Sequence, residues 1–289
     1  MSPSFPSGIS AMSASFRRYA FLLLAAFAFA LPARATSYSI DYTDLWWNPA
    51  EDGWGVNVIQ QNEILFLTFF IYGTDNAARW VVAPGLAPTN PQPAGAARFS
   101  GDIYQTTGPW FGTQFNPAAV GRTLVGNATI TFSSPDTATL SYTINGTPVV
   151  KTITRQALRT TSVAGVYLGG MIATASQCAT AADNGVVDIL GTTTVTQTAT
   201  QVSFRVDFRT VTNQPASCNF VGPYVQKGRM AAVSAGNFSC IVGSNVTNGG
   251  TFEMTALDAQ FNGFHATFTG KDQYCTYNGR FGGTRDVTG

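Results

Sequence analysis

The sequence predicts an all-β protein of two small antiparallel β-barrels, and three observations carry that expectation. Short runs with two-residue alternation recur at spacings near ten residues, divided by Gly, Asn, Asp and Pro. Beyond the N-terminal segment, no window of helical length carries an apolar stripe with a 3.6-residue period. The five tryptophans all lie before residue 111 and the four cysteines all lie after residue 177, which divides the 289 residues into two unlike halves. At 45% hydrophobic and 11% charged, the chain has enough apolar material to fill two cores.

The elements justify themselves in order. Arg17 and Arg18, the apolar run from Phe21 to Leu31 and the small-x-small box Ala33-Arg34-Ala35 read as an export signal over 1–35. The apolar run is too short for a membrane anchor and ends in Pro32. A Trp-rich barrel is expected over 36–160. Its strands read at 54–60, 64–72, 78–83, 97–105, 123–132, 137–144 and 149–155, with Asn145-Gly146 as a two-residue hairpin turn. Pro84, Pro88, Pro91 and Pro93 read as an extended loop. A second barrel is expected over 161–289, where Val202, Phe204, Val206 and Phe208 alternate with polar residues, as do Phe264, Ala266 and Phe268.

The second half also repeats itself. Gly222-Pro223-Tyr224 and Gly279-Arg280-Phe281 each follow a Cys-x-aromatic-x run, and Gly165-Val166-Tyr167 is an earlier copy, so the glycines recur at intervals of 57. This suggests an internally duplicated barrel stapled by disulfides. The repeat favours Cys178–Cys218 with Cys240–Cys275; the rival joins Cys218 to Cys240 across a hairpin and Cys178 to Cys275 to close the domain. Each bridge should contribute roughly 2–4 kcal/mol. Metal binding is not expected, since there is no CxxC and only one His.

Charge excludes two partner classes. Without Arg17, Arg18 and Arg34 the 16 basic residues fall to 13 against 15 acidic, a net −2, and no Lys/Arg run marks a nucleic-acid or anionic-membrane footprint. An integral β-barrel is disfavoured by strands shorter than the 9–11 residues needed to span and by the polar end Asp286-Val287-Thr288-Gly289.

The candidate ligand-binding residues are Trp46, Trp47, Glu51, Trp54, Trp80 and Trp110. Tryptophan faces can stack on sugar rings or apolar ligands, and they can equally plug the end of a small barrel. Glu51 and Asp52 are adjacent and so poorly placed to flank one glycosidic bond; a hydrolase would need a distant partner such as Asp102. Glu51 is better read as an acceptor for backbone or indole N–H groups at the turn made by Asn48-Pro49 and Gly53, while Gly55 permits close backbone approach. His265 alternates outward on its strand without a nucleophile motif. No catalytic residue and no cofactor is expected. The non-enzymatic reading is a binding or envelope protein for a glycan, a small apolar ligand or another protein; the alternative is a secreted polysaccharide hydrolase acting through Glu51.

The run Asp44-Leu45-Trp46-Trp47-Asn48-Pro49-Ala50-Glu51-Asp52-Gly53-Trp54-Gly55 resembles a module of uncharacterised exported proteobacterial proteins, D-x-W-W-N-P-x-E-S-G-W-G, with Asp52 in place of Ser. Thr106–Gly112, Phe115-Asn116-Pro117 and the run from Gly279 to Arg285 are similar to further stretches of that group. The resemblance implies a bacterial β protein of the periplasm or medium and supplies no reaction.

Overall fold

Alternation of inward apolar and outward polar side chains builds the fold strand by strand. In β7 (Thr137–Ile144), Ala138, Leu140 and Tyr142 are buried while Thr139 and Ser141 face water. The structure is a computed structural model describing residues 40–286, apart from the side chain of Thr247; the expected export signal lies outside the described residues. Before β7 come β1 (Asp44–Trp47), β2 (Gly55–Gln61), β3 (Ile64–Tyr72), β4 (Ala78–Pro88), β5 (Ala97–Thr107) and β6 (Gly121–Ser134), and β8 (Thr147–Arg155) follows. Each pairs antiparallel with the next, and β8 returns to β1 to close an eight-stranded barrel.

A second closed barrel follows with the same plan. Its strands are β9 (Gly165–Ser176), β10 (Gly185–Gln197), β11 (Gln201–Arg209), β12 (Pro215–Lys227), β13 (Met230–Val242), β14 (Asn245–Gln260), β15 (Gly263–Asp272) and β16 (Thr276–Arg285). The strands pair in sequence, and β16 pairs with β9. Its interior is packed with aromatic rings, among them Phe204, Phe220, Phe252, Phe268 and Phe281. Among the described residues the only helical pieces are 3-10 turns at Pro117–Ala119 and Ala181–Asp183.

Local signals account for much of the strand pattern. Asn145 and Gly146 take φ values of 49° and 81°, the paired left-handed conformation of a tight hairpin turn, and so join β7 to β8. The proline-rich loop expected from Pro84 onward needs correction, because β4 runs through Pro84 to Pro88. Leu67 pairs with Ala83 and Leu65 with Leu86, so the register slips at Pro84-Gly85. A bulge absorbs a residue that has no N–H to give the ladder.

Two expectations about the second half also change. Cys178 bonds Cys275 and Cys218 bonds Cys240, so the pairing favoured by the repeat is wrong and its rival holds. Cys218 lies directly opposite Cys240 in the β12–β13 ladder. Cys178 follows β9 and Cys275 precedes β16, the two strands whose pairing closes the barrel. The 57-residue spacing does not translate into a structural repeat: its copies fall on β9, β12 and β16, three strands apart and then four. In an up-and-down barrel the first two copies therefore run in opposite directions. What they share is an inward ring, since Tyr167, Tyr224 and Phe281 are all buried.

The first barrel has one packed end and one open end. At the packed end Tyr42 stacks on Phe132 with ring centroids 3.7 Å apart, and Trp46 meets the same ring edge-on at 5.2 Å. The buried Arg155 guanidinium lies 5.0 Å from the Trp46 ring centre. It donates to the carbonyls of Pro135, Thr43 and Asp41 and to the Asp44 carboxylate at 3.0 Å. Burial pulls the Arg155 pKa down while Asp44 acts to hold it up. Residues at this packed end also meet the β12–β13 hairpin of the second barrel through Arg229.

Candidate functional site

The tryptophan motif builds a turn at the open end of the first barrel. Asn48 anchors it: its side chain accepts the Ala50 N–H at 3.0 Å and its carbonyl accepts the Glu51 N–H at 2.9 Å. Glu51 then receives the Trp54 indole N–H at 2.9 Å and the Lys151 ammonium at 2.8 Å. The hydrogen bond from Lys151 is the largest influence on Glu51; together with that from Trp54 it outweighs desolvation and holds the carboxyl below its ordinary range. Gly55 completes the turn, because a Cβ there would stand 3.1 Å from the Trp46 carbonyl oxygen.

This turn mends a gap in the barrel. β1 has four residues and makes two rungs to β8, Trp46↔Arg155 and Trp47↔Thr154. The earlier part of β8, including Lys151, therefore has no β1 partner, and the Glu51–Lys151 pair spans the gap.

Beside the turn the open end holds a cavity of about 490 Å³. Ile71, Val81 and Val149 give it apolar walls, while Arg79, Gln105 and Tyr142 supply polar groups. The Tyr142 ring packs edge-on against Phe69 at 5.3 Å. Its phenol is pushed up by burial and secondarily by the Glu51 charge, so it stays protonated and able to donate near neutral pH. Tyr72 joins turn to cavity, since it lines the cavity and donates its hydroxyl to the Gly53 carbonyl at 2.8 Å. Arg79 is paired with Asp75 at 2.8 Å on the rim.

The six sequence-nominated residues do not form one platform. Trp46 is 1% exposed and belongs to the core at the packed end. Trp47 and Trp54 are half-buried and line, with Trp46, a shallower pocket of about 270 Å³. Trp80 is 54% exposed on β4, and Trp110 is 67% exposed in the β5–β6 connection. Neither lines either cavity. The residues of the larger cavity were missed because they come from three separate segments that only barrel closure brings together. His265 lies on the outward side of β15, opposite Asp258. Asp102 also faces outward, accepting the Tyr104 hydroxyl at 3.3 Å. Among the described residues, no group of three or more His, Cys, Asp or Glu is placed to hold a metal ion.

Fold and site together define a chain of two eight-stranded barrels, the first with an open, partly apolar mouth. No protein-family model, curated protein or solved structure matches it.

Proposed function

We propose that the protein is an exported, non-enzymatic binding protein that takes a small, largely apolar ligand into the open end of its first barrel. The observation that carries this reading is the cavity of about 490 Å³. It falls in the size range of small-molecule sites and combines apolar walls with a few polar groups. An eight-stranded barrel is also just wide enough to hold one small ligand. The glycan version of the reading has less support, because Trp80 and Trp110 stand apart from Trp46, Trp47 and Trp54. A hydrolase acting through Glu51 is disfavoured by a carboxylate held ionised between Lys151 and Trp54, which is poorly suited to donate a proton.

Location follows from chemistry and pattern. Two disulfides suit an oxidising compartment, and the N-terminal export signal and the proteobacterial resemblance point to the periplasm or medium. No helix among the described residues is long and apolar enough to cross a membrane. Strand length does not argue against a spanning barrel as the sequence suggested, since β6 has 14 residues and β14 has 16. The orientation of side chains does: aromatic and aliphatic residues fill both interiors, the reverse of a membrane barrel with a polar lumen.

Titration with the apolar fluorophore N-phenyl-1-naphthylamine tests the reading. Saturable one-site enhancement is expected, weakened roughly tenfold or more by Val149→Trp, which fills the mouth. Circular dichroism of the variant should match the wild type. Non-saturable fluorescence, or equal binding by the variant, would overturn the proposal.

A further inference from the structure

The β5–β6 connection exposes three aromatic rings, Trp110, Phe111 and Phe115, at the open end. β5 makes its last rung to β4 at Tyr104, and β6 makes its first rung to β7 at Gly126. Beyond these, Gln105↔Thr123, Thr106↔Arg122 and Thr107↔Gly121 continue as a two-stranded arm. Three rungs carry the arm about 10 Å past its last rung to β4. Its tip, residues 108–120, contains no Asp, Glu, Lys or Arg. Yet Phe111 is 90% exposed and Phe115 60%, next to the exposed Trp110.

The tip is shaped by its own hydrogen bonds. Asn116 accepts the Ala118 N–H through its side chain at 3.0 Å and the Ala119 N–H through its carbonyl at 3.1 Å. The Thr113 hydroxyl donates to the Trp110 carbonyl at 3.1 Å, and the Trp110 and Phe111 rings lie 5.9 Å apart. Behind the tip, Arg122 lies 5.0 Å from the Tyr104 ring centre and supplies the nearest positive charge along the arm.

We infer that this arm is a lipid anchor: Trp110, Phe111 and Phe115 insert into the interfacial region of a bilayer while Arg122 sits at headgroup level. Three features select a lipid surface over a protein partner. The apolar residues lie exposed on a loop tip, which a fluid interface accepts without a matching pocket. Thirteen consecutive uncharged residues remove the penalty that a buried charge would impose. Trp and Phe with a flanking cation are the composition that interfacial segments use. The attraction is local and apolar, so it needs no basic surface on the rest of the near-neutral chain. The arm and the open mouth lie at the same end of the barrel, so an anchored molecule turns its cavity toward the bilayer. The anchor itself does not depend on ligand binding in that cavity.

Flotation of the purified full chain with vesicles of phosphatidylethanolamine and phosphatidylglycerol tests the inference. The wild type should float, and Trp110→Ser/Phe111→Ser/Phe115→Ser should lose roughly tenfold or more of its partitioning. Both chains keep the apolar segment at 21–31, so the difference reports the arm alone. Brominated lipids should quench wild-type tryptophan fluorescence; Trp110→Phe should still float but lose that quenching. Equal flotation of wild type and triple variant overturns the anchor, as does quenching that survives in Trp110→Phe. Arm-dependent self-association without flotation would also overturn it, in favour of a second copy as partner. Naphthylamine binding can persist in every one of these outcomes, so failure here is distinguishable from failure of the cavity reading.

Discussion

At the residue scale, Asp272 and Tyr277 make the second barrel sensitive to pH from both sides. The Asp272 carboxylate accepts the Tyr274 and Cys275 N–H groups, each at 2.7 Å, and the Tyr277 hydroxyl at 2.7 Å. The Asn248 amide also donates to it. Burial acts to raise the Asp272 pKa, but these hydrogen bonds outweigh it and leave the group below its ordinary 3.8. The unfolded chain therefore binds more protons between the two values, and the contribution of Asp272 is lost as pH falls below 3.8. Tyr277 has the opposite sign. Burial, followed by the hydrogen bond to Asp272 and its charge, moves the phenol from 10.0 up to about 12. Its contribution is present below pH 10 and is lost as pH rises toward 12. Tyr277→Phe should flatten the alkaline limb of a urea-midpoint series and move the acid limb to higher pH, because Asp272 loses a donor. An alkaline limb identical to the wild type would show that this bond does not stabilise the fold.

At the element scale, the two bridges constrain the chain unequally. Cys178–Cys275 closes 97 residues by joining β9 to β16, while Cys218–Cys240 closes 22 across one hairpin. Chain entropy alone assigns roughly 4.7 kcal/mol to the first and roughly 3.4 to the second. Since the longer loop holds the unfolded chain more compact, Cys178→Ala/Cys275→Ala should raise the urea m-value more than Cys218→Ala/Cys240→Ala. Equal m-values in equilibrium unfolding would sink this account. The same bridges show what the sequence could convey. A continuous apolar run between turn residues places β3 at 64–72, and the Asn145-Gly146 turn helps place β7 at 137–144, because those signals are local. The repeat misled the cysteine pairing because matching residues carry no strand direction, and its first two copies lie three strands apart, on β9 and β12. The site divides in the same way. Glu51 as an indole acceptor is legible because Trp54 is three residues away, whereas Lys151 is 100 residues distant and reaches Glu51 only through barrel closure.

At the scale of the whole molecule, a polar network joins the two barrels, which belong to one compact unit. Arg229, at the tip of the β12–β13 hairpin, pairs with Asp41 at 2.7 Å and donates to the Thr43 carbonyl at 3.0 Å. It also reaches Asp258 of its own barrel at 3.3 Å. Its backbone N–H donates to Asp44 Oδ2 at 2.9 Å, the same oxygen that receives Arg155 at 3.0 Å. One carboxylate thus links the packed end of the first barrel to a turn of the second, with Lys227 to Asp136 at 3.6 Å beside it. The connecting segment offers a second tie, because the Tyr224 hydroxyl donates to the Thr161 carbonyl at 2.9 Å and Val163 is fully buried in the second core. Each core is otherwise complete within its own eight strands, so cooperativity between them rests largely on the Arg229 contacts. Arg229→Met keeps the apolar stem but removes the guanidinium bonds to Asp41, Thr43 and Asp258. In calorimetry the wild type should melt in one transition whose calorimetric and van't Hoff enthalpies agree, and the variant should resolve into two. High salt should move the wild type part of the way, since the Arg229–Asp41 pair is partly exposed while the Arg155–Asp44 pair is buried. A single transition of unchanged cooperativity in Arg229→Met would mean that the connecting segment and the remaining Asp44 and Lys227 contacts couple the barrels without the guanidinium.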